Sequence, residues 1–259
     1  MEVLVAQMRS EWTKLLTVRS TLWTIAVTVV VGIGVSALAT AEIHAHWATM
    51  SPPARASFNP VRVSLVAAFF CQLVLGILGV LVVSAEYGTG TIRATFAADP
   101  NRPLVVAAKV AVFGAVALVV GEVVSFLSFL VGQALLASPA RHATLATPGA
   151  LRAVVGTGLY LCVIGLFGLG LATILRHTAG AISAFVGVLL VLPIIVSALP
   201  TSVQNDITRF LPATMGRVLM SGAHHEQHVF APWTGFLLLV GYTAAVLAVA
   251  VVLLVRRDA

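Results

Sequence analysis

The chain has 259 residues, of which 59% are hydrophobic and only 9% charged. A soluble domain carries about 25% charged residues, so this composition excludes an ordinary soluble fold. The formal net charge of +6 is no nucleic-acid footprint, because the basic residues are scattered along the chain between long apolar runs. The composition instead defines an all-α polytopic membrane protein, since each bilayer crossing takes about 20 apolar residues.

Residues 1–20 read as an amphipathic helix lying along the membrane. Leu4, Met8, Trp12 and Leu15 share one face, and Gln7, Arg9, Glu11 and Lys14 are expected away from it. Trp12 and Trp23 suit the headgroup region, and Arg9, Lys14 and Arg19 suit an anionic leaflet. The first span is expected over Leu22–Ala39. Ala39-Thr40-Ala41 has the form of a signal-peptidase site, but Glu2, Glu11 and the amphipathic lead-in argue against cleavage. A polar loop is expected over His44–Pro60 and a second span over Val63–Ala85.

A short polar elbow follows, from Glu86 to Arg102. Gly88 and Gly90 are expected to break the incoming helix, because glycine tolerates positive φ. Thr91 to Ala98 then forms a short helix, ended by Asp99-Pro100, because the residue before proline disfavours the α region. The third span is expected over Val110–Leu136, the fourth over Ala153–Leu175 and the fifth over Gly180–Leu199, with a kink at Pro193. Residues 200–232 mix apolar and charged residues and are expected to form an outer, re-entrant segment. The sixth span is expected over Trp233–Val255, and the six spans form one domain, 1–259.

Six spans put both termini on one side. That side, with the N-terminal segment, the elbow, Arg176 and the tail, holds nine Lys and Arg residues against six on the other. The positive-inside rule places the termini and the elbow in the cytoplasm.

Few residues invite chemistry. Glu122 is the one acid well inside a span; it is expected to face the bundle interior, as a candidate contact on a substrate pathway or a polar packing contact. Gln72 and Gln133 read as interhelical hydrogen bonds, and Cys71 and Cys162 as small hydrophobes. His225 and His228 stand one residue closer than the His-Glu-x-x-His zinc pattern needs, so the cluster His224 to His228 reads as a solvated loop and no metal is expected. Gly165, Gly168 and Ala172 form a small-residue stripe suited to packing within the bundle. The only lysines are Lys14 and Lys109, and neither follows a glycine. A Walker A loop therefore cannot form, and any ATP that drives the protein is bound by another chain. No nucleophile elbow and no pair of intramembrane acids supports catalysis, so the chain is not expected to be an enzyme by itself.

Glu86-Tyr87-Gly88-Thr89-Gly90-Thr91-Ile92-Arg93, followed by Pro100-Asn101-Arg102 and Lys109, resembles the ABC-2 type transporter permeases, especially the small actinobacterial ones. Glu11-Trp12-Thr13-Lys14-Leu15, Val18-Arg19-Ser20-Thr21, Trp23-Thr24 and Phe210-Leu211-Pro212 resemble the same group. The resemblance implies a six-helix half-transporter that pairs with a second permease chain and docks on a separate ATP-binding subunit, which holds ATP and magnesium. It makes residues 1–20, with Arg9, Glu11, Trp12 and Lys14, a connecting helix. It makes Glu86 through Arg93, with Phe96 and Arg102, the segment that couples to the ATPase. Glu86 is expected to brace the elbow through Arg93 or a residue of the N-terminal helix, and Phe96 to supply apolar contact with the ATPase. Strongly apolar spans suit export of a hydrophobic or amphiphilic drug, antibiotic or lipid-like cargo across the plasma membrane. The alternatives are an intramembrane enzyme, a membrane adaptor or immunity protein that transports nothing, and a secondary transporter.

Overall fold

The computed structural model describes residues 2–98, 101–136, 142–221 and 229–256. Within them the chain forms helices joined by turns, with no strand. The His224 to His228 cluster, Asp99-Pro100 and Arg257 lie outside the described residues.

Helix α1 (Glu2–Thr17) stops at Val18, whose extended backbone separates it from α2 (Arg19–His46). At about 1.5 Å per residue α2 is about 42 Å long, more than the hydrocarbon core requires. It continues past Ala39, where the span was expected to end, into a 3-10 turn at Trp47–Thr49. The polar residues after Ala39 prolong it rather than stop it, with Glu42 and His46 paired one turn apart at 3.0 Å. Two short helices follow, α3 (Pro52–Ala56) and α4 (Pro60–Ser64); Asn59 caps α4 by accepting from the Arg62 N–H.

Helix α5 (Ala68–Thr89) begins after a turn at 65–67, not at Val63 as expected. The cause lies on the third span. Gln133 Nε2 donates to the Pro60 carbonyl and to Ser64 Oγ, which holds α4 as a separate piece. After α6 (Thr91–Ala98) comes α7 (Arg102–Leu136), two turns longer at its start than the expected span, so that Arg102 opens this helix. Helix α8 (Ala150–Leu175) ends at Arg176, whose φ of 54° reverses the chain into α9 (Thr178–Val186).

Pro193 sits at the start of α10 (Leu192–Ser197), directly after a π-helical turn over Gly187–Val191. Proline offers no N–H and crowds the carbonyl one turn back, and the wider π turn relieves both. Helices α11 (Thr201–Thr208) and α12 (Pro212–Met220) occupy the long connection before α13 (Pro232–Arg256).

Among the described residues, six helical segments are long and apolar enough to cross a membrane: α2, α5, α7, α8, α9 to α10, and α13. The central three, α5, α7 and α8, bury 56%, 50% and 67% of their most apolar stretch, against 17–22% for the outer three. The outer helices turn valine, leucine and isoleucine outward, as at Val30, Leu38, Ile194 and Leu237. Helix α2 buries instead a stripe of Thr21, Thr28, Gly32, Ser36 and Thr40, and the two innermost threonines satisfy their hydroxyls on carbonyls of their own helix. Small and hydroxylated residues inside and branched apolar residues outside are what a bundle surrounded by lipid requires.

Helices α5 and α8 meet backbone to backbone. A Cβ at Gly168 would fall on the Gly76 carbonyl, and one at Gly79 on the Gly165 carbonyl. The Gly165 and Gly168 stripe therefore packs inside the bundle. Tyr160 on α8 donates to Gln72 on α5, so both glutamines singled out in the sequence make interhelical hydrogen bonds.

Candidate functional site at one end of the bundle

The ends of α1, α5 and α7 converge on four charged side chains. Lys109 Nζ lies 2.7 Å from Glu11 Oε2 and 2.7 Å from Glu86 Oε1. Lys14 Nζ lies 2.7 Å from Glu11 Oε1 and 3.0 Å from Glu86 Oε1. Two acids and two bases thus close a neutral ring that ties the N-terminal helix to the second and third spans. Glu11 and Lys109 are each 3% exposed, Glu86 13%, and Lys14 40%. Burial works against the Lys14 ammonium, but its hydrogen bonds to Glu11 and Glu86 outweigh this and hold its pKa above the ordinary lysine value. Such a ring adds little net stability over an apolar core, but loss of one buried member strands its partner's charge at about 3–5 kcal/mol.

This arrangement corrects the expected face of α1. Glu11 is buried together with Leu15, and Trp12 is 47% exposed. At 100° per residue Glu11 projects from the same sector as Leu4 and Leu15, and the Lys109 ammonium makes an acid tolerable there. Arg9 is exposed. Of the two partners expected for Glu86, the N-terminal helix supplies one, Lys14, whereas Arg93 is exposed and makes no ion pair among the described residues. Lys109 is the member that sequence reasoning left unassigned. The available signal was scarcity, because the chain's only two lysines both stand in this ring.

The elbow turns at a single residue. Helix α5 passes through Gly88 and ends at Thr89; Gly90, with φ of 74°, takes the left-handed conformation that favours glycine. The helix break expected at Gly88 is therefore absent. Thr89 and Thr91 join hydroxyls across the turn at 2.9 Å. Helix α6 buries Ile92 and half-buries Phe96, which stacks under the Arg102 guanidinium at 5.5 Å, while Thr91, Arg93, Ala94 and Ala97 are exposed. Phe96, expected to supply apolar contact with the ATPase, is half-buried and lies beside Ile92, Val105 and Leu254. Arg102 Nη1 also donates to the Leu254 carbonyl on α13, and Arg176 lies 5.6 Å over the Tyr87 ring. Four spans are thus tied together at the end that carries α6.

Glu122 lies apart from this site, thirteen residues beyond Lys109 on α7, or about 20 Å along the helix. Its Oε2 is buried with no hydrogen-bond partner among the described residues, and its carboxyl occupies the space that a Cβ at Gly158 would fill. Cys71 and Cys162 are free thiols, donating weakly to the Thr28 and Gly114 carbonyls. Among the described residues no group of three or more His, Cys, Asp or Glu side chains could hold a metal ion.

Six helices able to cross a membrane, with an ion-paired ring and a short helix at one end of the bundle, define a multi-pass helical membrane protein. The chain belongs to the ABC-2 family transporter proteins, whose family model matches residues 9–259. No curated protein matches the chain. As an ABC-2 permease it is a transport subunit, and permeases of this family generally pair with an ATP-binding subunit.

Proposed function

We propose that this chain is the permease of an ATP-driven exporter in the plasma membrane, with both termini and α6 in the cytoplasm. It moves a hydrophobic or amphiphilic cargo and works as a pair of identical chains, each docked on a separate ATP-binding subunit that holds ATP and magnesium. The observation that carries this reading is the ring of Glu11, Lys14, Glu86 and Lys109 beside the exposed face of α6. That face carries Thr91, Arg93, Ala94 and Ala97, and Arg93 makes no ion pair among the described residues. It suits seating in a cleft with an acidic residue. Closure of two ATPases displaces α6, and the ring prevents α1, α5 and α7 from yielding separately. Motion therefore enters the second and third spans as one body. Glu122 on α7, whose Oε2 has no hydrogen-bond partner among the described residues, is then a contact on the cargo path.

The test is a pull-down of the tagged chain from mild detergent. The expected result is a co-purifying soluble ATPase, released by Arg93→Glu. Absence of any ATPase from a preparation whose six-helix fold is intact would overturn the reading in favour of an adaptor or a secondary transporter.

A further inference from the structure

A cavity of about 230 Å³ opens at the opposite end of the bundle from the ion-paired ring. The small cavity beside the ring, about 10 Å³, has room for no more than a water molecule. The two ends are bridged by α5, whose Gln72 lines the large cavity fourteen residues, or about 21 Å, before Glu86.

The lining has two chemistries. Arg62 from α4 and Arg217 from α12 both face the cavity, and neither guanidinium has a hydrogen bond or ion pair among the described residues. The described acids at this end are engaged elsewhere, Glu42 with His46 and Asp206 with Arg209. The buried end of the cavity is closed by the Tyr160 to Gln72 hydrogen bond. The remaining wall is apolar, with Leu65, Phe69 and Met220. Phe69 is 51% exposed, so this wall continues onto the outer flank of the bundle, where a chain can pass into lipid.

The placement of both arginines is built into the fold. The Asn59 cap and the Gln133 hydrogen bonds to Pro60 and Ser64 fix α4, and with it Arg62. On α12, Ala213, Arg217 and Met220 lie at i, i+4 and i+7 on the cavity side, while Met215, Val218 and Leu219 are buried on the other. Two like charges that share one cavity repel each other and attract an anion between them. Guanidinium forks match a phosphate or carboxylate bidentately.

We propose that this cavity binds an amphiphile with a compact anionic head, the phosphate or carboxylate held between Arg62 and Arg217 and the alkyl chain laid on Leu65, Phe69 and Met220. Binding itself needs no ATPase. Only the identification of the occupant as cargo rests on the permease reading.

The experiment uses the full chain purified in a maltoside detergent, with thermal unfolding followed by a thiol-reactive dye while dodecyl phosphate is titrated. Saturable stabilisation is expected, and dodecylphosphocholine, which has the same chain but no net charge, should give none at the same concentration. Arg62→Gln with Arg217→Gln should weaken the apparent affinity for dodecyl phosphate at least about tenfold, as loss of charged hydrogen bonds does. Ala213→Phe, which fills the cavity and keeps both arginines, should block binding in a chain whose own unfolding temperature stays near wild type. Unchanged affinity in both variants, or equal binding of the zwitterionic detergent, would overturn the proposal. Phosphatidylglycerol that displaces dodecyl phosphate identifies the occupant as a resident lipid. Dodecyl phosphate that keeps its affinity in phosphatidylglycerol vesicles excludes that lipid as the occupant and leaves a single-chain anionic amphiphile. Both results uphold the site. Binding in a chain that captures no ATPase would also uphold the site, and would count against the permease reading alone.

Discussion

Lys109→Met tests the ring at its most buried cation. The substitution removes a charge with two acceptors, Glu11 Oε2 and Glu86 Oε1, each at 2.7 Å. Glu86 keeps Lys14, which is part-exposed and accessible to water. Glu11 is 3% exposed and keeps only the Lys14 contact to its other oxygen. A buried charge left short of its partner costs about 3–5 kcal/mol, and in a chain of this size each kcal/mol lowers the unfolding temperature by about 2–4 °C. A fall of about 10 °C is therefore expected in dye-detected thermal unfolding, which Cys71 reports because its thiol is buried. Lys14→Met removes a cation that is 40% exposed, from the same two acids, and should cost less than about 1 kcal/mol. Adding Glu11→Gln to Lys109→Met removes the stranded charge and should recover part of the loss. The reasoning is refuted if the two lysine variants unfold at the same temperature, or if Glu11→Gln deepens the loss caused by Lys109→Met.

Gly168→Ala places a methyl group on the Gly76 carbonyl, which is backbone and cannot step aside, so a loss of about 1–3 kcal/mol is expected; an unfolding temperature equal to wild type would show that α5 and α8 are not in backbone contact. Gly90→Val forces a branched residue to φ of 74° at a cost of at least about 1–2 kcal/mol. Proteolysis should then increase within the elbow while Gly88→Ala, inside the helix, leaves it unchanged. The raised pKa of Lys14 sets the sign of the alkaline response. A cation whose folded pKa exceeds its unfolded value, about 10.4, stabilises fully below that value and loses its contribution as pH rises through the folded pKa. The wild-type unfolding temperature should therefore hold through neutral pH and fall above about 10.4, a fall that Lys14→Met reduces; an equal alkaline fall in the variant would refute the assignment.

The six crossings were legible because an apolar run long enough to span lipid has few other uses. Their ends were not, because a helix does not stop where the membrane does. Glu42 and His46 extend α2 beyond its apolar run, and Arg102 to Lys109 extend α7 ahead of its own. Half of the ring was readable as well: Glu86 and Lys14 stood out as rare charges at helix ends. Glu11 was misplaced because hydrophobic periodicity assigns every acid to the outer face of an amphipathic helix. What reverses that rule here is a partner ninety-eight residues away, Lys109, which no local pattern announces. Arg93 was the nearer counter-charge in sequence, but Gly90 redirects the chain and leaves it on the exposed face of α6.

Helix α5 runs from the ion-paired ring at one end of the bundle to the large cavity at the other. Glu86 anchors one end of it in the ring, Gly76 and Gly79 form its seam with α8, and Phe69 and Gln72 line the cavity at the other end. A seam of interlocked large side chains would resist sliding, because every such chain must leave its hole. Glycine against backbone carbonyl brings the two helix axes close together with few side chains between them. Around that seam α5 also makes the Tyr160 to Gln72 hydrogen bond, the packing of Phe185 against Gly76 and the weak Cys71 contact to the Thr28 carbonyl. On the proposed function, a displacement of α6 passed through the ring to α5 would reach the cavity at Gln72 and Tyr160, and opening their hydrogen bond would be one way for events at the elbow to alter the proposed site between Arg62 and Arg217. Tyr160→Phe removes the bond and keeps the ring. It should leave ATPase capture intact while uncoupling amphiphile binding from nucleotide state, and binding that still follows nucleotide in Tyr160→Phe would place the route elsewhere.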